Sequence, residues 1–354
     1  MHIDKYEEAM MNCRFCFMCR HLSTIGQVRC TEVDTPRVRA AMLYGLKTGT
    51  NSFDDSDFVD ALYRQELSAC CTHHCVNHYD ENGLALAARA DVVEAGKAPE
   101  PVKKLAAKLV KSVGWSASGP SSAKATEGKK GDVAWFLDES TASDKDAVAA
   151  AKKLFAAAKA APKTITGGSI GKALKVLGYL PEAKAAAEKF AEFLKAENVK
   201  TLVVSNPAAL HALKKDYEEF GVKLPCKVVS MFKFVLDAKV KFAKAAGEVY
   251  PLADDFIRNY LGCDCMDRLL KALKAKTKPF GTNDEESYNC GEGAVVLDKL
   301  HPELVKALAE YVAARVDNPK KDVIVVGSVY AKRVLAKYGK IYAVTLDELA
   351  ASCL

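Results

Sequence analysis

Cysteines at positions 13, 16 and 19 constrain this chain more than any other feature of its sequence. The spacing Cys13-x2-Cys16-x2-Cys19 sets three thiols on one tight loop. A cubane [4Fe-4S] cluster needs four thiolate ligands converging on its corners, and this run is the ferredoxin-type way of supplying three. Zinc sites more often take two Cys-x2-Cys pairs, so a third close cysteine disfavours zinc. Seven of the 12 cysteines fall in the first 75 residues: Cys13, Cys16, Cys19, Cys30, Cys70, Cys71 and Cys75. A secreted disulfide framework is not expected at 354 residues, and residues 1–8 lack the apolar core of a secretory leader. The clustered thiols therefore read as metal ligands in a cytoplasmic protein.

The fourth ligand follows from spacing. In a bacterial run it comes after three further residues and serves the other cluster of a two-cluster protein. Here that position is Ser23, whereas Cys71-x3-Cys75 keeps the tail of a second run. The earlier positions of that second run are Gln65 and Ser68. A second cluster has thus lost Ser23, Gln65 and Ser68 as ligands and kept only Cys71. The first retains Cys13, Cys16, Cys19 and Cys75, so one cubane cluster is predicted. Cys30 and Cys70 compete with Cys75 as fourth ligand. Cys30, Cys70 and Cys71 otherwise read as buried neighbours, or as part of an unusual second cluster completed by His73, His74 or His78.

The remainder is ordinary globular sequence, 49% hydrophobic and 27% charged, with a net charge of +6. Its lysines are spread through Ala-rich helical stretches, so nucleic acid is not the expected partner. No apolar run reaches the ~18 residues of a membrane helix. Helices are predicted at 38–46 and 57–67. Residues 97–131 read as a Ser/Gly/Pro/Lys-rich linker with one short helix at 102–113. Beyond it, strands at 133–137 and 201–205 alternate with helices at 144–160 and 181–197, which predicts parallel sheets. The strand–turn–helix of 199–217 returns at 322–338, and each copy is followed by a second, smaller unit. The offset of about 120 residues is long enough for a repeated α/β domain. Gly167-Gly168-Ser169-Ile170-Gly171 could hold an anion at a helix N-terminus. His211 and His301 read as surface helix residues, Trp115 as a linker residue, and Cys226 and Cys353 as structural.

The run from Cys13 to Gly45, including Pro36-Arg37-Val38-Arg39, resembles the iron–sulfur subunits of glycolate oxidase and anaerobic glycerol-3-phosphate dehydrogenase, and the related heterodisulfide reductase subunit. The resemblance implies a mostly helical ferredoxin-like iron–sulfur domain at 1–96 and a linker at 97–131. Two α/β repeats with parallel sheets, of the type called CCG domains, follow at 132–245 and 246–354. It departs from the family where the repeats should carry Cys-Cys-Gly and Cys-Pro-x-Cys. The first repeat has Thr166-Gly167-Gly168 and Asn206-Pro207-Ala208-Ala209 there, and the second has Asn289-Cys290-Gly291 and Gly327-Ser328-Val329-Tyr330. The heterodisulfide-type active site does not transfer. At most one second metal or cluster site survives, drawn from Cys263, Cys265 and Cys290, with Asp254 or Asp255 where the family has a cysteine; a redox thiol pair and unligated thiols are the alternatives.

Three functions follow as expectations. The first is an electron-transfer subunit of an anaerobic oxidoreductase. It would relay electrons between a flavoprotein, or another redox subunit, and a downstream acceptor through one [4Fe-4S] cluster. Any association with a membrane would be peripheral and through a partner. The second is a catalytic, heterodisulfide-reductase-like protein with its own site in the second repeat. The third is a non-redox scaffold with a structural metal.

Overall fold

The computed structural model describes residues 1–13, 16–119, 133–279 and 288–354, apart from the side chain of His73. The chain is α/β. Eight helices come first: α1 (Glu7–Met11), α2 (Met18–Leu22), α3 (Thr24–Arg29), α4 (Pro36–Lys47), α5 (Ser56–Tyr63), α6 (Cys70–His74), α7 (Glu81–Glu94) and α8 (Glu100–Lys111). Capping chemistry sets several starts. Asp55 accepts from the N–H groups of Asp57 and Phe58 at the head of α5, and Asp80 accepts from Gly83 N–H at the head of α7.

The strands of the first half are β1 (Trp115–Ser118), β2 (Val133–Asp138), β3 (Lys163–Gly167), β4 (Thr201–Val204) and β5 (Lys227–Ser230). Its helices are α9 (Glu139–Ala142), α10 (Lys145–Ala157), α11 (Lys172–Leu177), α12 (Leu180–Ala196), α13 (Pro207–His211), α14 (Tyr217–Glu219) and α15 (Met231–Asp237). The second half has β6 (Glu248–Leu252), β7 (Lys276–Thr277), β8 (Val323–Val326) and β9 (Ala343–Thr345). With them run α16 (Cys265–Ala272), α17 (Leu297–Leu300), α18 (Pro302–Ala313), α19 (Val329–Val334) and α20 (Leu346–Ser352).

The sheet orders are β1-β3-β2-β4-β5 and β7-β6-β8-β9. Without β1, which pairs antiparallel on the edge, the first order matches the second strand for strand, and all these pairings are parallel. A π-helical turn also follows α13 (Ala212–Asp216) and α19 (Leu335–Gly339), at matching places in each half. The repeat read from 199–217 and 322–338 is thus a repeat of structure.

Parallel strands bury both faces. One apolar cluster joins the inner faces of both sheets, with Trp135, Val203 and Val229 meeting Val249 and Val325 through the helices between them. A second covers the outer face of the first sheet, around Phe136, Ile165, Phe190 and Leu202. The third joins the outer face of the second sheet, at Tyr250, Leu252, Ile324 and Val326, to the N-terminal helices through Leu43, Leu62 and Leu84. Arg89, fully buried, ties the same junction by donating to the carbonyls of Leu62 (2.9 Å) and Val176 (3.0 Å).

Three expectations change. Trp115 is not linker: it sits in β1 and packs on Phe190 with ring centroids 4.8 Å apart. His211 is not a surface residue: it is buried, and its Nδ1 lies 2.9 Å from Lys172 Nζ. The glycines at 167–171 serve close packing. A Cβ on Gly168 would stand 1.8 Å from the carbonyl of Ser112. Ser169 N–H is taken by Ser112 Oγ, and the helix that follows, α11, has only six residues. The residues at 120–131 of the expected linker lie outside the described residues.

Candidate metal centre

Helices α2 and α6 pack together, which brings the first cysteine run against the second. Cys13 follows α1, Cys16 precedes α2, Cys19 lies within α2, and Cys75 ends α6. All four line one small cavity, with Cys71, Met18, Arg37, Val76, Asn77 and Tyr79. Neither Cys30 nor Cys70 does. Cys30 is exposed at the left-handed end of α3 and donates to the Gln27 carbonyl. Cys70 lies one layer behind, with its Sγ 3.7 Å from Cys71 Sγ, donating to the Leu22 carbonyl at 3.2 Å and meeting Ser68 Oγ at 3.0 Å.

The cavity is graded from surface to core. Cys16 is exposed, Cys13, Cys19 and Cys75 are half-buried, and Cys71 is buried. Burial pushes the Cys19 thiol up to about 11. The hydrogen bond with Cys70, joined by burial, raises Cys71 further. Metal binding must therefore displace a proton from Cys19, which couples affinity to pH. Polar groups around the cavity are fixed. Arg37 donates to the Cys16 carbonyl (3.3 Å), pairs with Glu32 (2.6 Å), and lies 4.6 Å from the Phe17 ring. Arg37 belongs to the Pro36-Arg37-Val38-Arg39 stretch that opens α4.

The residues standing where a second cluster's ligands would be are buried together: Ser23, Gln65, Ser68 and Cys71. Ser23 Oγ donates to Glu66 at 3.2 Å, and Ser68 Oγ meets Cys70. Gln65 Nε2 and Glu66 Oε2, buried beside them, have no partner among the described residues. Among the histidines, His78 is exposed and His74 half-buried, and neither lines the cavity.

The second set, Cys263, Cys265 and Cys290, is not one ligand set. Cys263 and Cys265 form a disulfide. Cys290 is fully buried in the cluster that joins the second sheet to the N-terminal helices, whereas Cys265 lies in the cluster between the sheets. Cys290 N–H donates to Glu292 at 2.7 Å. Its thiol is raised by burial and by the charges of Glu292, Asp255 and Asp254.

That acidic group occupies the switch point of the second sheet, the crevice beyond the carboxyl ends of β6 and β8 where α/β folds place ligands. Burial raises Asp254 to about 6, Glu292 to about 8, and Asp255 well above the usual carboxylate range. Asp255 Oδ2 has no hydrogen-bond partner. In the matching crevice of the first half the carboxylate has partners, whereas Ser140 Oγ and Ser205 Oγ have none among the described residues. There Asp138 accepts from Asn206 Nδ2 at 3.0 Å and from the N–H groups of Ser140 and Thr141. Sequence reasoning reached Asp254, Asp255 and Cys290 but missed Glu292 and Glu66, because no spacing marks a carboxylate that the fold buries.

Compact groups of three or more ligand atoms occur elsewhere among the described residues. Asp91, near His2 and Glu94, accepts the N–H groups of His2 and Ile3, and Asp144 and Glu348 hold Lys332. None of the described helices is long and apolar enough to cross a membrane.

No protein-family model matches the chain, and no curated protein does. Among solved structures it is similar to an aspartate racemase of Picrophilus torridus, at 13% identity and a TM-score of 0.32, over 63% of this chain and 92% of that one. A likeness at that score carries nothing about activity.

Proposed function

We propose that the protein is an electron-transfer subunit whose single [4Fe-4S] cluster is held by Cys13, Cys16, Cys19 and Cys75. The supporting observation is convergence: the four thiols assigned by spacing line one cavity, although 56 residues separate Cys19 from Cys75. The donor set suits the group, since thiolates are the ligands that iron–sulfur clusters take. When bound, such a cluster supplies a one-electron carrier. The chain does the rest. It buries Cys71, half-buries Cys19, keeps Cys16 at the surface, and holds the Arg37 guanidinium beside the loop.

The surface around the cavity supports a partner. Met18 and Val76, which line it, are 46% and 76% exposed, and Phe17, next to Met18 in the chain, is 60% exposed. Large apolar side chains exposed together beside a redox site suit transient docking. A flavoprotein, which exchanges one or two electrons, is the partner class this reading assigns.

The test is Cys16→Ser under anaerobic conditions. The wild type should show a broad visible absorption that bleaches on reduction and returns on oxidation. The variant should lose or transform it. An unchanged iron and sulfide content in the variant would remove Cys16 from the ligand set. A band that does not respond to reduction would favour a structural metal.

The buried acids at the second switch point favour a second reading, in which a further metal sits near Asp255 and makes the protein catalytic. About four irons and no other metal per chain fits the relay, and a further metal bound beyond those four irons fits the second reading.

A further inference from the structure

A cavity that shares no lining residue with the cysteine-lined centre lies at the carboxyl ends of β6 and β7. It encloses about 810 Å³, and its wall runs past Leu252 and Asp255 to Thr277 and Tyr288. Cys263 lines it, and Cys263 is joined to Cys265. This disulfide closes a very short loop, two positions apart, so it withdraws little chain entropy from the unfolded state. A stapling role accounts for little of it.

Its surroundings favour chemistry. Cys263 is half-buried on the cavity side, whereas Cys265 is buried as the first residue of α16. The eight-residue α16 puts the positive end of its dipole there, which favours a thiolate. The Cys265 N–H already donates to Cys263 Sγ at 3.2 Å. Each sulfur therefore has a stabilised leaving or resting state. The rim carries both signs, Arg258 and Lys271 against Asp264 and Asp267.

We propose that Cys263 and Cys265 form a dithiol–disulfide exchange site for a low-molecular-weight thiol bearing both ammonium and carboxylate groups, bound in this cavity. An incoming thiolate attacks Cys263 Sγ. The Cys263–Cys265 bond breaks, and its electron pair leaves on Cys265 at the helix N-terminus. A second thiolate then attacks the substrate sulfur of the mixed disulfide and releases Cys263 as a thiolate. Two substrate thiols become one disulfide, the protein gains two electrons, and the two substrate protons pass to the protein thiols. The reverse sequence uses the substrate disulfide as oxidant. This goes beyond the electron-relay reading and does not rest on it.

Glutathione serves as the probe, with peptide mass mapping of the full chain. Wild-type protein equilibrated in graded mixtures of reduced and oxidised glutathione should pass from a linked Cys263–Cys265 peptide to two free thiols in one two-electron transition. Cys265→Ser, treated with oxidised glutathione, should carry one adduct on Cys263 that a dithiol reductant removes. Cys263→Ser should carry none on Cys265. A wild-type pair that stays linked, or stays reduced, across the whole series would overturn the proposal. So would an adduct on Cys265 as extensive as that on Cys263. The wild-type series needs no variant to fold, and peptide masses are read whether or not iron is bound.

Discussion

Asp347 offers a test of the fold that needs no cofactor. It lies in the first turn of α20, between the two sheets, with its side chain fully buried and Oδ1 unpartnered. Burial pushes its carboxyl up to about 7 from 3.8, although the Ser205 side chain lies close enough to oppose this. The folded state therefore keeps a proton that the unfolded chain has already lost. Stability owed to this group is complete below pH 3.8 and is lost as pH rises through 7. At 1.36 kcal/mol per pH unit, the part lost between about pH 5 and about pH 8.5 is about 3 kcal/mol. Asn has no proton to lose. Asp347→Asn should therefore gain about 3 kcal/mol on the wild type between those two pH values. The cost of placing an amide there is common to both conditions and cancels in the difference. Urea unfolding of both proteins, followed by circular dichroism at each pH, gives the number. A gap that stays constant with pH, or narrows as pH rises, would refute a buried neutral Asp347.

Three further outcomes are expected. Cys75→Ser should lose the iron content that Cys30→Ser retains, since only Cys75 lines the cavity; iron assays on both variants decide. Arg89→Met should destabilise by about 3–5 kcal/mol in denaturant unfolding, because two buried carbonyls at the junction lose their donor. Gly178→Ala should lower the melting temperature, because its φ is +94° and a Cβ there would lie 2.4 Å from the Arg89 carbonyl; an unchanged transition would mean that the junction yields.

Periodicity marked elements of the first α/β half closely. The helix expected at 181–197 is α12 (Leu180–Ala196), and the strand expected at 133–137 is β2 (Val133–Asp138). Both follow from simple periods, 3.6 and continuous apolar, with Pro181 fixing the helix start. The edge strand β1 was illegible because Trp115 to Ser118 alternates within a Ser-rich stretch that looks like linker. In the centre, spacing found Cys13, Cys16, Cys19 and Cys75. It could not say that Cys71 lines the cavity while Cys70 sits behind it, since adjacent residues on a short helix separate only when the helix is placed. His211 looked isolated because Lys172 comes from another segment and Asp216 meets it only through the π-helical turn that follows α13. The same holds for Asp255, Glu292 and Glu66. Their meeting at one junction depends on how the second sheet docks on the N-terminal helices, which no local pattern encodes.

The most direct test of the central claim is metal content with spectroscopy on anaerobically purified, full-length protein. Iron and acid-labile sulfide should each reach about four per chain, and reduction should give the electron paramagnetic resonance signal of one [4Fe-4S] cluster. Protein that binds zinc instead, or that holds no sulfide, would contradict the account.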